Sequence, residues 1–371
     1  MNLKVIIKKI AENSIGLLFD LVDKLVCKKK YIVFSARAAK GYADNSKILY
    51  EKFIQEGIEE VFYFTKNKNE LRKIPKNGIY AYSIKAIYII LKSRILVFTH
   101  GSNDFFPYSP SKHPNRVFIN LFHAIAVKNV DITDTPKGLR ETRKWDYFVV
   151  SSEFEQEYIK KQLLLKDSQI LNFGHPRNDI LINKPTLEKQ NTTKLVLYAP
   201  TFRDTNITKL FPFKDVELQS LDEFLNENDI KIMIRLHINE ELKYKEDSKY
   251  QNLKNIYFEG SDKIPSINDF LHNVDMLISD YSSITLDYLL LNKPIAYIPY
   301  DYEKYNEERG FSFDYFKYLA GPTISSQKDL KSFLLIGNDN YAEKKKTLKN
   351  LFHNHQDGRS TERLFNFIYN L

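Results

Sequence analysis

An α/β protein of two doubly wound domains with parallel sheets is what the sequence predicts, and three observations predict it. The chain has 371 residues, more than one core usually spans, since single domains run to roughly 100–200 residues. Short β-branched and aromatic runs alternate with helix-like stretches along nearly its whole length. The alternation falls into two series on either side of a polar stretch, and such alternation argues parallel sheets covered by helices.

In order, the first series of strands reads Tyr31 to Ser35, Glu60 to Thr65, Ile95 to Thr99, Val117 to Leu121, Tyr147 to Val150 and Ile170 to Phe173, with a helix over Asn45 to Gln55. A polar stretch, Asn183 to Thr193, separates it from a second series: Lys194 to Tyr198, Lys231 to Leu236, Asn255 to Phe258, Met276 to Ser279 and Ile295 to Ile298. The expected organisation is a helix over 1–30, a first domain over 31–182, a second over 190–350 and a C-terminal helix over 351–371. Neither an internal repeat nor a low-complexity segment interrupts it.

Lys and Arg total 55 against 47 Asp and Glu, a formal charge of +8. An excess of this size suits polyanionic ligands. The basic residues are dispersed and no aromatic-basic module occurs, so nucleic acid is not an expected partner. A single cysteine, Cys27, excludes a disulfide framework within the chain and zinc fingers, and points to a reducing compartment. Residues 1–30 carry seven lysines and three acids, with Leu17, Leu18, Leu21, Val22 and Leu25 at helical spacing. Glu12, Asp20 and Asp23 interrupt any spanning run, so the expectation is a basic amphipathic helix on an anionic membrane surface or on its own domain.

In open α/β sheets, ligands bind beyond the carboxyl ends of strands. The stretch SDYSSITLD, Ser279 to Asp287, follows an apolar run and leads into a helix-like pattern. Unpaired helix N–H groups with the hydroxyls of Ser282 and Ser283 suit an anion there, although a serine cap with Asp287 in the first turns accounts for the same residues. Other strand ends carry similar donors: His123 with Lys128; His175 and Arg177; Arg203; Arg235 and His237; and Asp280 with the serines. Together they suit a nucleotide diphosphate cleft. No Walker A, G-x-G-x-x-G, nucleophile elbow or H-E-x-x-H spacing occurs, and no metal is expected.

GHPRND at 174–179, YAPTFRD at 198–204, Arg235-Leu236-His237, SDYSSITLDY at 279–288, NKPIAYIPYDYEKY at 292–305 and the closing His355-Gln356-Asp357-Gly358-Arg359-Ser360 resemble the CDP-glycerol glycerophosphotransferase family of teichoic-acid primases, polymerases and capsule-building relatives. The resemblance implies a GT-B fold, two Rossmann-like domains facing across a cleft, and transfer of glycerol phosphate from CDP-glycerol to a hydroxyl of an undecaprenyl-diphosphate-linked saccharide with release of CMP. It also implies a peripheral protein on the cytoplasmic face of the membrane, with CDP-glycerol as substrate and no cofactor. The short length leans toward a single-addition primase.

His123 matches the family's N-terminal catalytic histidine and becomes the expected general base, since an imidazole titrating near neutrality can take the proton of an attacking hydroxyl. His237, Arg203, Arg235, Ser282 and Ser283 are expected to meet the charge growing on CMP. Asp280 and Asp287 are expected to orient neighbouring donors or the donor's hydroxyls, and Lys128, His175 and Arg177 to face acceptor or phosphate. The family's usual His-Gly start is His123-Ala124 here, and losing a glycine narrows the backbone beside the base, which bears on the acceptor. Competing readings are a nucleotide-sugar glycosyltransferase of the same fold, a transferase using CDP-ribitol or another CDP-polyol, and a non-catalytic envelope-assembly protein. Oligomeric state is not legible.

Overall fold

The computed structural model describes residues 19, 21–108, 110–184, 192–203, 207–236, 240–241, 244, 247–260, 263–264 and 266–371. The chain divides into two compact units. The first takes the described residues up to Ala124, with Val130–Asp179 and Asp357–Leu371; the second takes Ile125–Asn129 and Ile180–Gln356. The chain therefore leaves the first unit at Asp179 and returns to it for its last helix.

The first unit holds seven strands: β1 Tyr31–Phe34, β2 Val61–Thr65, β3 Gly78–Tyr80, β4 Ser93–Phe98, β5 Val117–Asn120, β6 Tyr147–Val150 and β7 Ile170–Asn172. They lie in the order β3-β2-β1-β4-β5-β6-β7, every pair parallel. All five residues of β2 are buried, as a strand covered on both faces requires. The helix Asp44–Gln55 turns Leu49, Tyr50 and Phe53 onto the sheet. The helix Ser360–Tyr369 adds Leu364 and Ile368 to the same core, its Phe365 ring 4.7 Å from that of Phe53. β3 went unread in the sequence because it has only three residues and begins on glycine.

The second unit holds β8 Lys194–Ala199, β9 Ile230–Ile234, β10 Ile256–Phe258, β11 Met276–Ser279 and β12 Ile295–Tyr297. Their order is β10-β9-β8-β11-β12, again wholly parallel. In each sheet the strand order reverses once, between β1 and β4 and between β8 and β11. Loops diverge from such a point, and the crevice they leave at the strands' carboxyl ends is where ligands bind in folds of this kind.

Of the N-terminal helix expected over 1–30, most lies outside the described residues. In the described part, residues 21–25 are helical, and Asp23 points inward to a buried ionic cluster. Its carboxylate accepts from Lys28 Nζ at 2.8 Å, from the Ser111 N–H at 2.9 Å and bidentately from Arg116. Burial opposes the Asp23 charge, but Arg116 and Lys28 outweigh it and hold the carboxyl below its ordinary pKa. Leu21, Val22 and Leu25 remain exposed.

Candidate functional site

Two loops of the second unit meet at its reversal point. The loop after β8 carries Thr201 and Arg203; the loop after β11 carries Asp280 to Ser283. Asp280 joins them, its Oδ1 accepting the N–H groups of Thr201 at 2.8 Å and Tyr281 at 2.7 Å. Its other oxygen lies 2.9 Å from the Arg203 guanidinium, which also pairs bidentately with Asp301 at 2.9 and 2.8 Å. Three rings, Tyr281, Tyr300 and Tyr305, stand 4.9–5.2 Å from the guanidinium carbon. Burial works against the Arg203 charge, yet Asp301 and Asp280 together raise its pKa.

Arg203 is 3% exposed, with its charge compensated by buried Asp280 and half-buried Asp301. Expected as a cation open to phosphate, it stands instead as the tie between three loops. Arg235 is used similarly. It is half-buried, and its guanidinium donates to the carbonyls of Glu259 at 3.2 Å and Ile264 at 2.8 Å, fixing the loop after β10. Arginine at a strand end attracts this use because five N–H donors can satisfy several loop carbonyls at once.

Ser282 and Ser283 are half-buried at the mouth of β11. The helix they precede, Ile284–Tyr288, has five residues and no side-chain cap from Ser283, so the expected serine cap is not formed. Ser282 Oγ lies 3.4 Å from the Ile284 N–H. Asp287 is buried, within 3.5 Å of Asn268 Nδ2, in the interior of the unit. His237 lies outside the described residues. Lys128 belongs to the second unit, where its segment pairs with Gly310–Ser312: Ser312 Oγ donates to the Lys128 carbonyl at 2.9 Å, and the Asn129 N–H to Gly310 at 3.2 Å.

In the first unit His123 follows β5 directly and is half-buried. Its Nδ1 faces the Thr99 carbonyl at 3.5 Å. A carbonyl only accepts, so Nδ1 carries the proton and Nε2 the lone pair. Burial, then the neighbouring His100, lower the His123 pKa to about 3, with Asp44 acting in the opposite direction and Arg177 adding to the depression. The imidazole is thus neutral over the physiological range.

The loop that presents this ring is built around Asn45, on the second residue of the helix Asp44–Gln55. Its Nδ2 donates to the carbonyls of Leu121 at 3.2 Å and Phe122 at 2.9 Å. Phe122 has φ 50°, a left-handed conformation that a side chain tolerates only where its surroundings hold it. The Asn45 Oδ1 accepts the Arg177 N–H at 3.0 Å, and His175 Nδ1 lies 3.3 Å from Nδ2. Sequence reasoning missed Asn45, which carries no signal beyond a polar residue at a helix start.

GHPRND thereby acquires a structural account. Gly174 has φ 82°, open to glycine at no steric cost. His175 is fully buried, with Nε2 at 3.8 Å from Glu155, so it meets neither acceptor nor phosphate in this arrangement. Arg177, also buried, donates to the His123 carbonyl. Asp179 caps the C-terminal helix, accepting the N–H groups of Ser360 at 3.0 Å and Thr361 at 2.7 Å. The motif at 174–179 and the closing motif at 355–360 are two halves of one contact. Asp179→Ala is expected to cost about 1–2 kcal/mol of stability, read as a lower urea midpoint; an unchanged midpoint would deny the cap its weight.

His100 is a further residue that the sequence reading passed over. It follows β4, at the reversal point of the first sheet, and its ring is stacked on that of His123. The rule that found His123, a histidine just past an apolar strand, would have found it too.

Comparison with known proteins fits this architecture. A wall teichoic acid polymerase, TagF, has a solved structure that superimposes with a TM-score of 0.81 over 98% of this chain and 95% of that one, at 23% identity. The likeness shows the α/β fold with parallel sheets that the sequence predicts. A teichoic acid poly(glycerol phosphate) polymerase of Staphylococcus epidermidis is 28% identical over 389 residues, covering 95% of this chain and 52% of the polymerase. A teichoic acid glycerol-phosphate transferase of Staphylococcus aureus is 26% identical over 404 residues, covering 98% of both. The chain thus spans about half of the polymerase and nearly all of the transferase. The family model for CDP-glycerol:poly(glycerophosphate) glycerophosphotransferases matches residues 17–370, and the chain belongs to that family.

Proposed function

We propose that this enzyme transfers glycerol phosphate from CDP-glycerol to a hydroxyl of a membrane lipid-linked saccharide, releasing CMP, as a single-addition primase in teichoic acid or related envelope-polymer synthesis. The observation that carries this is a family match over residues 17–370, joined to similarity to a teichoic acid glycerol-phosphate transferase.

The acceptor oxygen attacks the glycerol-bearing phosphorus while its proton passes to His123 Nε2. The bond from that phosphorus to the CMP oxygen breaks, and CMP departs with the electron pair. A neutral imidazole is ready for this step before substrate arrives. A bound diphosphate then favours the imidazolium that forms, because an opposite charge nearby raises a histidine's pKa. Ser282 and Ser283 serve as donors to the CDP phosphates, and His237 is assigned to the same task. Arg203, Arg235 and Asp280 act one step back, holding the loops that carry those donors. Arg177 and His175 hold the His123 loop in the same way.

Attachment to the cytoplasmic membrane face is part of the proposal. Leu21 is 64% exposed, Leu25 88% and Ile84 86%. The two segments meet where Lys28 Nζ reaches the Leu91 carbonyl and the Lys29 N–H that of Lys92. On the same two segments Lys24, Lys29, Lys30 and Lys85 are exposed as well, a combination that suits anionic headgroups. Among the described residues no helix is long and apolar enough to cross a membrane.

Purified protein incubated with CDP-glycerol and a panel of lipid-linked saccharides is expected to release CMP and add one glycerol phosphate in mass. CDP-ribitol in parallel decides the polyol, and nucleotide sugars decide against sugar transfer. Absence of CMP with every CDP-polyol and acceptor would overturn the assignment. Leu21→Glu with Leu25→Glu is expected to abolish co-sedimentation with phosphatidylglycerol vesicles; retained sedimentation would remove the attachment surface.

A further inference from the structure

We propose that His100 is a positioning residue for the His123 imidazole, holding that ring face to face and guarding its unprotonated state. This deepens the reading of His123 as proton acceptor and rests on it. The two rings lie 4.2 Å apart between centroids and 7° from parallel. Parallel stacking at this separation fixes the plane of the inner ring, and with it the direction of the Nε2 lone pair. A second ring, that of Phe122, lies 4.5 Å from the His123 ring and is tilted by 53°.

His100 is itself held from behind. Its N–H donates to Oδ2 of buried Asp104 at 3.1 Å, and the Thr99 N–H donates to the same oxygen at 2.8 Å. The Thr99 hydroxyl lies 3.3 Å from that oxygen and 2.8 Å from His100 Nδ1. Asp104 Oδ1 accepts the Ala38 N–H at 2.6 Å, so the carboxylate is engaged on both oxygens. A hydroxyl donating to Asp104 accepts from Nδ1–H of His100, which fixes the tautomer of the exposed ring. A carboxylate, a hydroxyl and an imidazole thus form a line ending in the stack.

The charges facing His123 come from four directions: His100 after β4, Asp44 at the start of the helix Asp44–Gln55, Arg177 on the helix Pro176–Asn183, and, through His100, Asp104. Asp44 is offset by its own bidentate partner Arg37, at 2.8 and 3.1 Å. Two stacked imidazolium ions repel, so charge on the exposed ring opposes protonation of the inner one. The stacked His100 ring thereby works, after burial, against a charge on His123 and leaves its Nε2 free to accept a proton from substrate.

The test compares His100→Phe and His100→Ala in the full chain. Without substrate, an NMR titration of His123 in His100→Phe is expected to give a higher pKa than in the parent, because the ring is retained and its charge is lost. In turnover, His100→Ala is expected to lower kcat about 10–100-fold with KM for CDP-glycerol within about twofold, and His100→Phe to recover most of kcat. An unchanged His123 titration in His100→Phe, or parental kcat in His100→Ala, would overturn the inference. Full activity in His123→Asn would instead remove the proton-acceptor reading, so the two failures are told apart.

Discussion

His123→Asn is expected to lower kcat about 10²–10⁴-fold while leaving thermal unfolding and CDP-glycerol binding near those of the parent. Asparagine keeps a side-chain N–H for the Thr99 carbonyl that Nδ1 faces at 3.5 Å, so the loop is preserved and only the proton acceptor is lost. The pH behaviour follows from the depressed pKa of about 3, set by burial and then by His100. The folded protein leaves this ring neutral where the unfolded chain, with an ordinary value near ~6.5, binds a proton. Proton uptake therefore favours unfolding as the solution is acidified. The contribution of His123 to stability is complete above about pH 6.5 and declines as pH falls toward 3. In His123→Asn that part of the acid loss disappears, which urea midpoints at several pH values would reveal. Parental kcat in the variant would dispose of the proton-acceptor role.

Arg203→Met is expected to lower the stability of the second unit by about 3–5 kcal/mol. Methionine fills much of the same volume among Tyr281, Tyr300 and Tyr305, so packing is not the main loss. Asp280, at 2.9 Å from the guanidinium, and Asp301, at 2.8 Å, both lose that counter-charge. Uncompensated carboxylates in the interior cost more than the pair ever contributed. Adding Asp301→Asn to the variant should recover part of the loss, since the two sites share one network. A urea midpoint within error of the parent would mean that the guanidinium does not hold these loops together.

Most strands were legible because short β-branched and aromatic runs alternate with helix-like stretches, as a parallel sheet covered by helices requires. Tyr147 to Val150 and Met276 to Ser279 were read with the bounds they have. The residues at the strand ends were legible by type and place, but their partners were not. Asp301 lies 98 positions from Arg203, and no local pattern tells whether a guanidinium faces water or a carboxylate. Asn45 illustrates the same limit: it carries the His123 loop through bonds 76 and 77 positions away, which only the folded topology brings within reach. At the N-terminus, no local pattern shows that Asp23 turns inward to Arg116 and leaves Leu21 and Leu25 outside.

The helix Ser360–Tyr369 closes the core on which the helix Asp44–Gln55 and its Asn45 rest. The first unit is consequently discontinuous, and its earliest strands wait through translation of the whole second unit for their last partner. A ribosome-bound chain stalled before residue 357 would carry a finished second unit beside an unfinished first one, with apolar surface open to chaperones. In newly made protein the His123 loop should settle only once the helix Ser360–Tyr369 has docked.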